Sequence, residues 1–191
     1  KFLGAECSYS DLLNNLDTLV NEDKVKHIRG FYCLPGREEV INERFKKLNY
    51  FKAKIKKAKR FAKLVSIFPF IEAISISNII GDHNLKKGSD IDFFIISRPG
   101  SLWLTRFFCT FWAKILGLRP NNKTKEDKIC LSFYISSDNL NLEKYLYNQD
   151  DFYFKYWLVG LEPIFARKNF WLKFWKNNLW IKKYLPNFIL P

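Results

Sequence analysis

The run Lys87-Gly88-Ser89-Asp90-Ile91-Asp92-Phe93-Phe94-Ile95-Ile96 constrains this chain more than any other stretch. Phe93 to Ile96 is apolar without a break, the pattern of a strand covered on both faces. Asp90 and Asp92 stand at its head, one residue apart, and in extended chain such residues share a face. Two carboxylates so placed can grip one hard cation from two sides, and a buried strand supports them rigidly. Gly88-Ser89-Asp90 also suits a tight turn with nothing bound, so the pair alone leaves both readings open.

Upstream, Ile71-Glu72-Ala73-Ile74-Ser75-Ile76-Ser77 is a β-branched alternating run, followed by Asn78-Ile79-Ile80-Gly81-Asp82 and a polar turn. The order is strand, short helical turn, loop, second strand. These residues resemble the minimal nucleotidyltransferases of the DNA polymerase β-like superfamily, whose signature is Gly-Ser at a strand end, then helix and loop, then Asp-x-Asp. Ser77 matches the signature serine, Gly81 the later small residue, and Asp90 and Asp92 the metal-binding pair. Ile76 stands where the signature has glycine, and its Cβ hinders the close approach of backbone to phosphate. A looser likeness to uncharacterised bacterial proteins with a nucleotidyltransferase domain extends through Arg98 to Arg106 and Ile129 to Tyr134.

The resemblance implies an α+β fold with a mixed sheet and a transfer of nucleoside monophosphate from a triphosphate, ATP first among candidates, to a hydroxyl of an unknown acceptor. Two Mg²⁺ ions bridged by shared carboxylates can hold the attacking and leaving oxygens in line. Asp90 and Asp92 are then both catalytic and metal-binding. Ser77, with backbone N–H groups of the following turn, is placed to cradle phosphates, and Gly81, Ser89 and Arg106 complete the expected nucleotide contacts. Ser77 can equally be a small residue ending a strand.

Such sites take a third carboxylate from a neighbouring strand. In Lys128 to Ile135, strand parity puts Cys130, Ser132 and Tyr134 on one face and Ile129, Leu131, Phe133 and Ile135 on the apolar one. Ser132 then occupies the expected acidic position. Glu126 has the right parity only if the strand begins early, and Asp127, Asp138, Asp150 and Asp151 would have to arrive by loop or helix.

With 191 residues, 48% of them hydrophobic and 18% aromatic, the chain can bury a sizeable core. The absence of any methionine, a first one included, is expected of a fragment or processed product. Four cysteines without Cys-x-x-Cys spacing indicate reduced structural thiols, as in a cytoplasmic protein, and no zinc site. The net charge of +13 attracts nucleotides, nucleic acid or anionic lipid, although Lys-rich and Asn-rich usage also follows from an AT-rich genome.

Tyr9 to Asn21 carries Leu12, Leu13, Leu16, Leu19 and Val20 at helical spacing, with Ser10 as expected N-cap. Val25 to Gly36 reads as a short β-ribbon, so residues 1–37 form a small winged-helix-like remnant beside the main unit, 38–164. His27 is expected to face solvent, and His83 lies in the loop beside the acidic pair. Glu38 to Ile67 is a long helix, closed by Pro69, whose lysines are expected on a solvated outer face. A second helix, Ser101 to Leu116, is capped by Ser101 and stopped by Gly117. Its Trp103, Leu104, Phe107, Phe108, Phe111, Trp112 and Ile115 are expected to cover the sheet. Arg106 lies among them, where an unpaired charge is costly, so Asp90, Asp92 or a phosphate is its expected partner.

Charges interrupt that helix, and no run reaches the roughly 20 apolar residues that a bilayer requires, so no transmembrane segment is expected. After an aromatic helix over Asp150 to Leu161, the tail 165–191 alternates Phe, Trp and Tyr with Lys, a pattern that suits packing on the body more than peripheral membrane contact. The sheet is expected from Ile71 to Ser77, Asp90 to Ser97 and Lys128 to Ser136. The competing reading is a catalytically degenerate module that still holds a nucleotide, or a basic surface that holds nucleic acid.

Overall fold

The computed structural model describes residues 4–77, 88–120 and 124–190. Its centre is a four-stranded sheet built from β3 (Ile71–Ile76), β4 (Ile91–Ser97), β5 (Ile129–Ser136) and β6 (Glu162–Ala166), in the order β5-β4-β3-β6. β4 pairs with β3 antiparallel and with β5 in parallel, so the sheet is mixed and the class is α+β. The two central strands are the apolar ones, and Ile71, Ile74, Phe93, Ile95 and Ile96 are wholly buried. Helices cover both faces, which is why β4 has no polar alternation beyond Asp92.

One face is roofed by α2 (Glu39–Val65) and α3 (Leu102–Ile115), which contribute Ala58, Phe61, Ala62, Val65, Cys109 and Ala113 to a core with Ile74, Ile76, Phe93 and Ile95. The other is roofed by α4 (Phe152–Val159), α5 (Phe170–Asn177) and the final turns, where Trp157, Leu158, Phe174, Trp175, Ile181 and Phe188 meet Phe94 and Ile96. Residues of the tail are therefore part of the second core. Asn178, wholly buried, locks it: its amide oxygen accepts from the Leu142 N–H at 2.9 Å and the Trp180 indole at 3.1 Å, while its amide nitrogen donates to Leu140 and Phe174 carbonyls. All of its polar capacity is used, which makes burial of an amide tolerable.

The edge strand β6 has no counterpart in the expected elements. Its five residues carry Pro163, which is tolerated at a sheet edge but hides the strand from a reading by pattern. Arg167, just after it, donates to the carbonyls of Ile71, Ser66 and Phe68 at 2.7–2.9 Å and ties the edge to the end of α2.

The amino-terminal part comprises α1 (Tyr9–Asn21) and a hairpin of β1 (Lys26–Ile28) and β2 (Phe31–Cys33). Ser8, not Ser10, caps α1, its hydroxyl accepting from the Asp11 N–H at 3.1 Å, so the helix starts at Tyr9, ahead of where Ser10 would begin it. Phe31 meets Phe45 edge-on at 5.3 Å and docks the hairpin on α2. His27 is exposed and stacks on Tyr32. Ser101 occupies the position before α3 but makes no capping bond through its side chain, and Gly117 ends the helix at φ 62°.

Two expectations about side-chain direction are corrected. α3 turns its small residues, Thr105, Cys109 and Ala113, to the sheet, and leaves Trp103, Leu104, Phe107, Phe111 and Ile115 exposed. Counting apolar residues could not show this, because α3 is apolar on most of its circumference and only the fit against β5 and α2 selects the inner side. Lys54 is the second: it is 3% exposed, not on a solvated face. Among the described residues, no helix is long and apolar enough to cross a membrane.

Candidate metal centre

β4 begins immediately after Asp90, and its alternation fixes the direction of the aspartates. Ile91, Phe93 and Ile95 enter the core under α2 and α3, whereas Phe94 and Ile96 enter the opposite core. Asp92, between Ile91 and Phe93, therefore lies on the Phe94 face, and Asp90 has the same parity. Both are half-buried. The antiparallel neighbour brings Ser77 opposite: its N–H donates to the Asp92 carbonyl at 2.9 Å, and its hydroxyl leans on the same oxygen at 3.5 Å. Ser77 is thus held beside Asp92 and is 1% exposed.

The third corner comes from β5. Asp92 pairs with Cys130 in the parallel register, but Phe94 pairs with Phe133, so β5 carries one extra residue between these pairs. Such a bulge inverts side-chain parity beyond it. Ile129, Leu131 and Tyr134 consequently pack under α2 and α3, while Phe133 reaches Trp157 at 5.2 Å and Ile135 packs on the opposite core. The single-face set Cys130, Ser132 and Tyr134 is therefore corrected, and it is Cys130, not Ser132, that stands beside Asp92. One ligand atom each from Asp90, Asp92 and Cys130 lie within 4.8 Å of one another. Ser132 contributes indirectly, its hydroxyl lying 2.8 Å from the Cys130 sulfur.

The chemistry of the three donors is unequal. Burial pushes the Cys130 thiol up; the hydrogen bond with Ser132 opposes the rise, and the Asp92 and Asp90 carboxylates add to it. A protonated thiol is a poor ligand, and a thiolate prefers softer metals than Mg²⁺. The two carboxylates fit a hard divalent cation, and the third corner does not supply the oxygen that such a cation prefers. Among the described residues, no other acid takes that corner. Asp127 pairs with Lys54 at 2.7 Å, and Asp151 caps α4 by accepting from the Phe154 N–H at 3.0 Å. Glu126 and Asp150 are exposed, and Asp138 lies past the end of β5.

Lys54 holds the head of the site together. Its ammonium donates to the Ser89 carbonyl and to Asp127, and the Asp127 N–H donates to the same Ser89 carbonyl at 3.2 Å. Ser89 therefore acts in this structure through its backbone, one residue before Asp90, and fixes where β4 starts. The sequence holds a signal for this role: Lys54 falls in the stripe Phe51, Ile55, Ala58 and Phe61, where a solvated lysine has no place.

Arg106 is not brought to the aspartates. It is exposed on α3, over the rings of Trp103 at 5.9 Å and Tyr134 at 5.8 Å, and Tyr134 packs on the opposite side of the sheet from Asp92. Cation–π contacts and water satisfy its charge, so no carboxylate is needed. Gly81, His83 and the turn Asn78 to Asp82 lie outside the described residues. Neither protein-family models, nor curated proteins, nor solved structures gave a match to the chain.

Proposed function

We propose that this chain is a nucleotidyltransferase-like protein in which Asp90 and Asp92 hold a divalent cation for a bound nucleoside triphosphate, with transfer of the nucleoside monophosphate to a hydroxyl acceptor. The observation that carries this reading is the convergence of Asp90, Asp92 and Cys130 near the start of β5 at the head of one buried strand, three ligand atoms within 4.8 Å. A bound cation would neutralise charge spreading over the phosphate oxygens. Asp90 and Asp92 orient that charge from a rigid strand. Ser77, pinned to the Asp92 carbonyl just past the end of β3, is the hydroxyl for a phosphate contact.

A second reading is favoured by two residues. Ile76 replaces the glycine that lets backbone approach phosphate, and Cys130 replaces the third acid. Both changes weaken transfer more than binding, so a nucleotide-holding module without turnover is the alternative.

Incubation with labelled ATP, Mg²⁺ or Mn²⁺ and cell extract is expected to label a product in the wild type and none in Asp92→Ala. Labelling that persists in this variant overturns the assignment. Cys130→Asp distinguishes the two readings: it is expected to raise turnover if the site transfers, and to tighten metal binding without turnover if it only holds the nucleotide.

A further inference from the structure

In the layer of α2 and α3, α3 is inverted relative to an ordinary roof helix. α3 spends Thr105, Cys109 and Ala113 on the core and displays Trp103 (76% exposed), Phe107 (60%), Ile115 (59%), Leu104 and Phe111 to solvent. The display continues past the end of α2, where Ile67 is 77% exposed and Phe68 packs on Phe108 at 4.7 Å. Contiguous apolar surface of this kind marks an interaction site rather than ordinary exposure.

Charge decides the occupant. Apart from Glu39 and Glu43 in the opening turns of α2, this layer is built from chain without a carboxylate: none occurs from residue 44 to 71, and none from 93 to 125. Beside α3, the outer side of α2 carries a shallow groove in which Lys52, Lys56, Lys59 and Lys63 flank the rings and methyls of Phe51 and Ile55. Arg106 and Lys114 stand on α3 itself. A second copy docked through the same patch would bring these cations against their own counterparts. Single-stranded nucleic acid would use the aromatics but leave Leu104, Ile115 and Ile67 without an apolar partner. An anionic bilayer surface satisfies both halves: acyl chains meet the apolar ridge, and lipid phosphates meet lysines whose long stems reach up from it.

We propose that the outer face of α2 and α3 is a peripheral docking surface for anionic lipid membranes, with α3 lying in the plane of the interface. This surface is separate from the aspartate pair, so it stands or falls independently of the proposed transfer reaction.

Sedimentation of the chain with phosphatidylcholine vesicles, with and without phosphatidylglycerol, tests it. Binding is expected only with the anionic lipid, and to weaken as salt screens the lysines. Phe107→Ser/Phe111→Ser is expected to lower partitioning about tenfold or more with unchanged circular dichroism, because neither side chain belongs to the buried core. Lys56→Glu/Lys59→Glu is expected to lower it as well, and Leu172→Ser, exposed on α5, to leave it unchanged. The proposal is overturned if the wild type stays in the supernatant, if the double phenylalanine variant sediments as before, or if Leu172→Ser loses binding equally. It is also overturned if the phenylalanine variant instead abolishes self-association, or binding of an oligonucleotide, in a protein that ignores vesicles.

Discussion

The two roofs of the sheet solve the same covering problem in opposite ways. Under α4, α5 and the final turns, the large rings point inward: Phe94, Trp157, Phe174, Trp175 and Phe188 form a chain of contacts at 5.1–5.9 Å. Under α2 and α3 the inward residues include Ala58, Ala62, Cys109 and Ala113, and of the α3 rings Trp103, Phe107 and Phe111 point out while Trp112 packs on the core. The first arrangement maximises buried apolar area and carries stability. The second brings helices close to the sheet and leaves apolar surface for something else. Lys155 and Lys54 extend the contrast. Lys155 is buried against the Tyr184 ring at 3.7 Å and the Gln149 carbonyl, an internal strut of the packed side, whereas Lys54 clamps Ser89 and Asp127 at the head of the candidate site.

Removing one ring from each side tests the difference between the roofs. Phe174→Ala is expected to destabilise by about 3–5 kcal/mol through lost transfer energy and the cavity left behind. Phe111→Ser is expected to change stability by no more than about 0.5 kcal/mol. Denaturant titration of both variants decides it, and equal losses would mean that α3 buries its rings in solution.

A smaller effect follows from the thiol on the α3 side. Burial pushes the Cys109 pKa up from 9.0 to about 12, so the folded state favours the neutral thiol. The associated stability is present below pH 9 and is lost as pH rises from 9 towards 12, by at most about 4 kcal/mol. Cys109→Ala is expected to flatten that part of the alkaline stability profile, measured by thermal unfolding between pH 8 and pH 11. A profile of unchanged slope would show that the thiol is not buried as described.

A modest stability effect is expected at Lys54, at the head of the candidate site. Lys54→Met leaves Asp127 with access to water and one carbonyl without its ammonium, a loss of about 1 kcal/mol. Its distinguishing result is at the aspartates: Mn²⁺ affinity, measured by titration calorimetry, is expected to fall about tenfold because the start of β4 is no longer fixed. An unchanged affinity would confine Lys54 to a structural role.

Much of the fold was legible because strong local patterns were decisive. β3, β4 and β5 are β-branched and apolar runs, and α1 and α2 carry clear helical periodicity; each formed within a few residues of its expected limits. The pair Asp90 and Asp92 was legible for the same reason, since period-two alternation at the head of a buried strand leaves one direction for both. Three features had no local signal. β6 is a short edge strand interrupted by proline. The bulge in β5 exists only because β4 lies alongside it, so the choice of Cys130 over Ser132 is made between strands. The outward turn of α3 depends on which side fits against β5.

The kinds of elements, the acidic pair and the acid-free stretches 44–71 and 93–125 follow from the chain alone, because they depend on spacing and composition along one stretch. Tertiary structure decided that a thiol completes the triangle, that Lys54 clamps Ser89 and Asp127, that Arg106 rests over the Tyr134 ring and that α3 turns Trp103, Phe107 and Phe111 outward. Each of these is a relation between residues far apart in the chain, and its energy comes from packing and desolvation that exist only once the strands and helices have met.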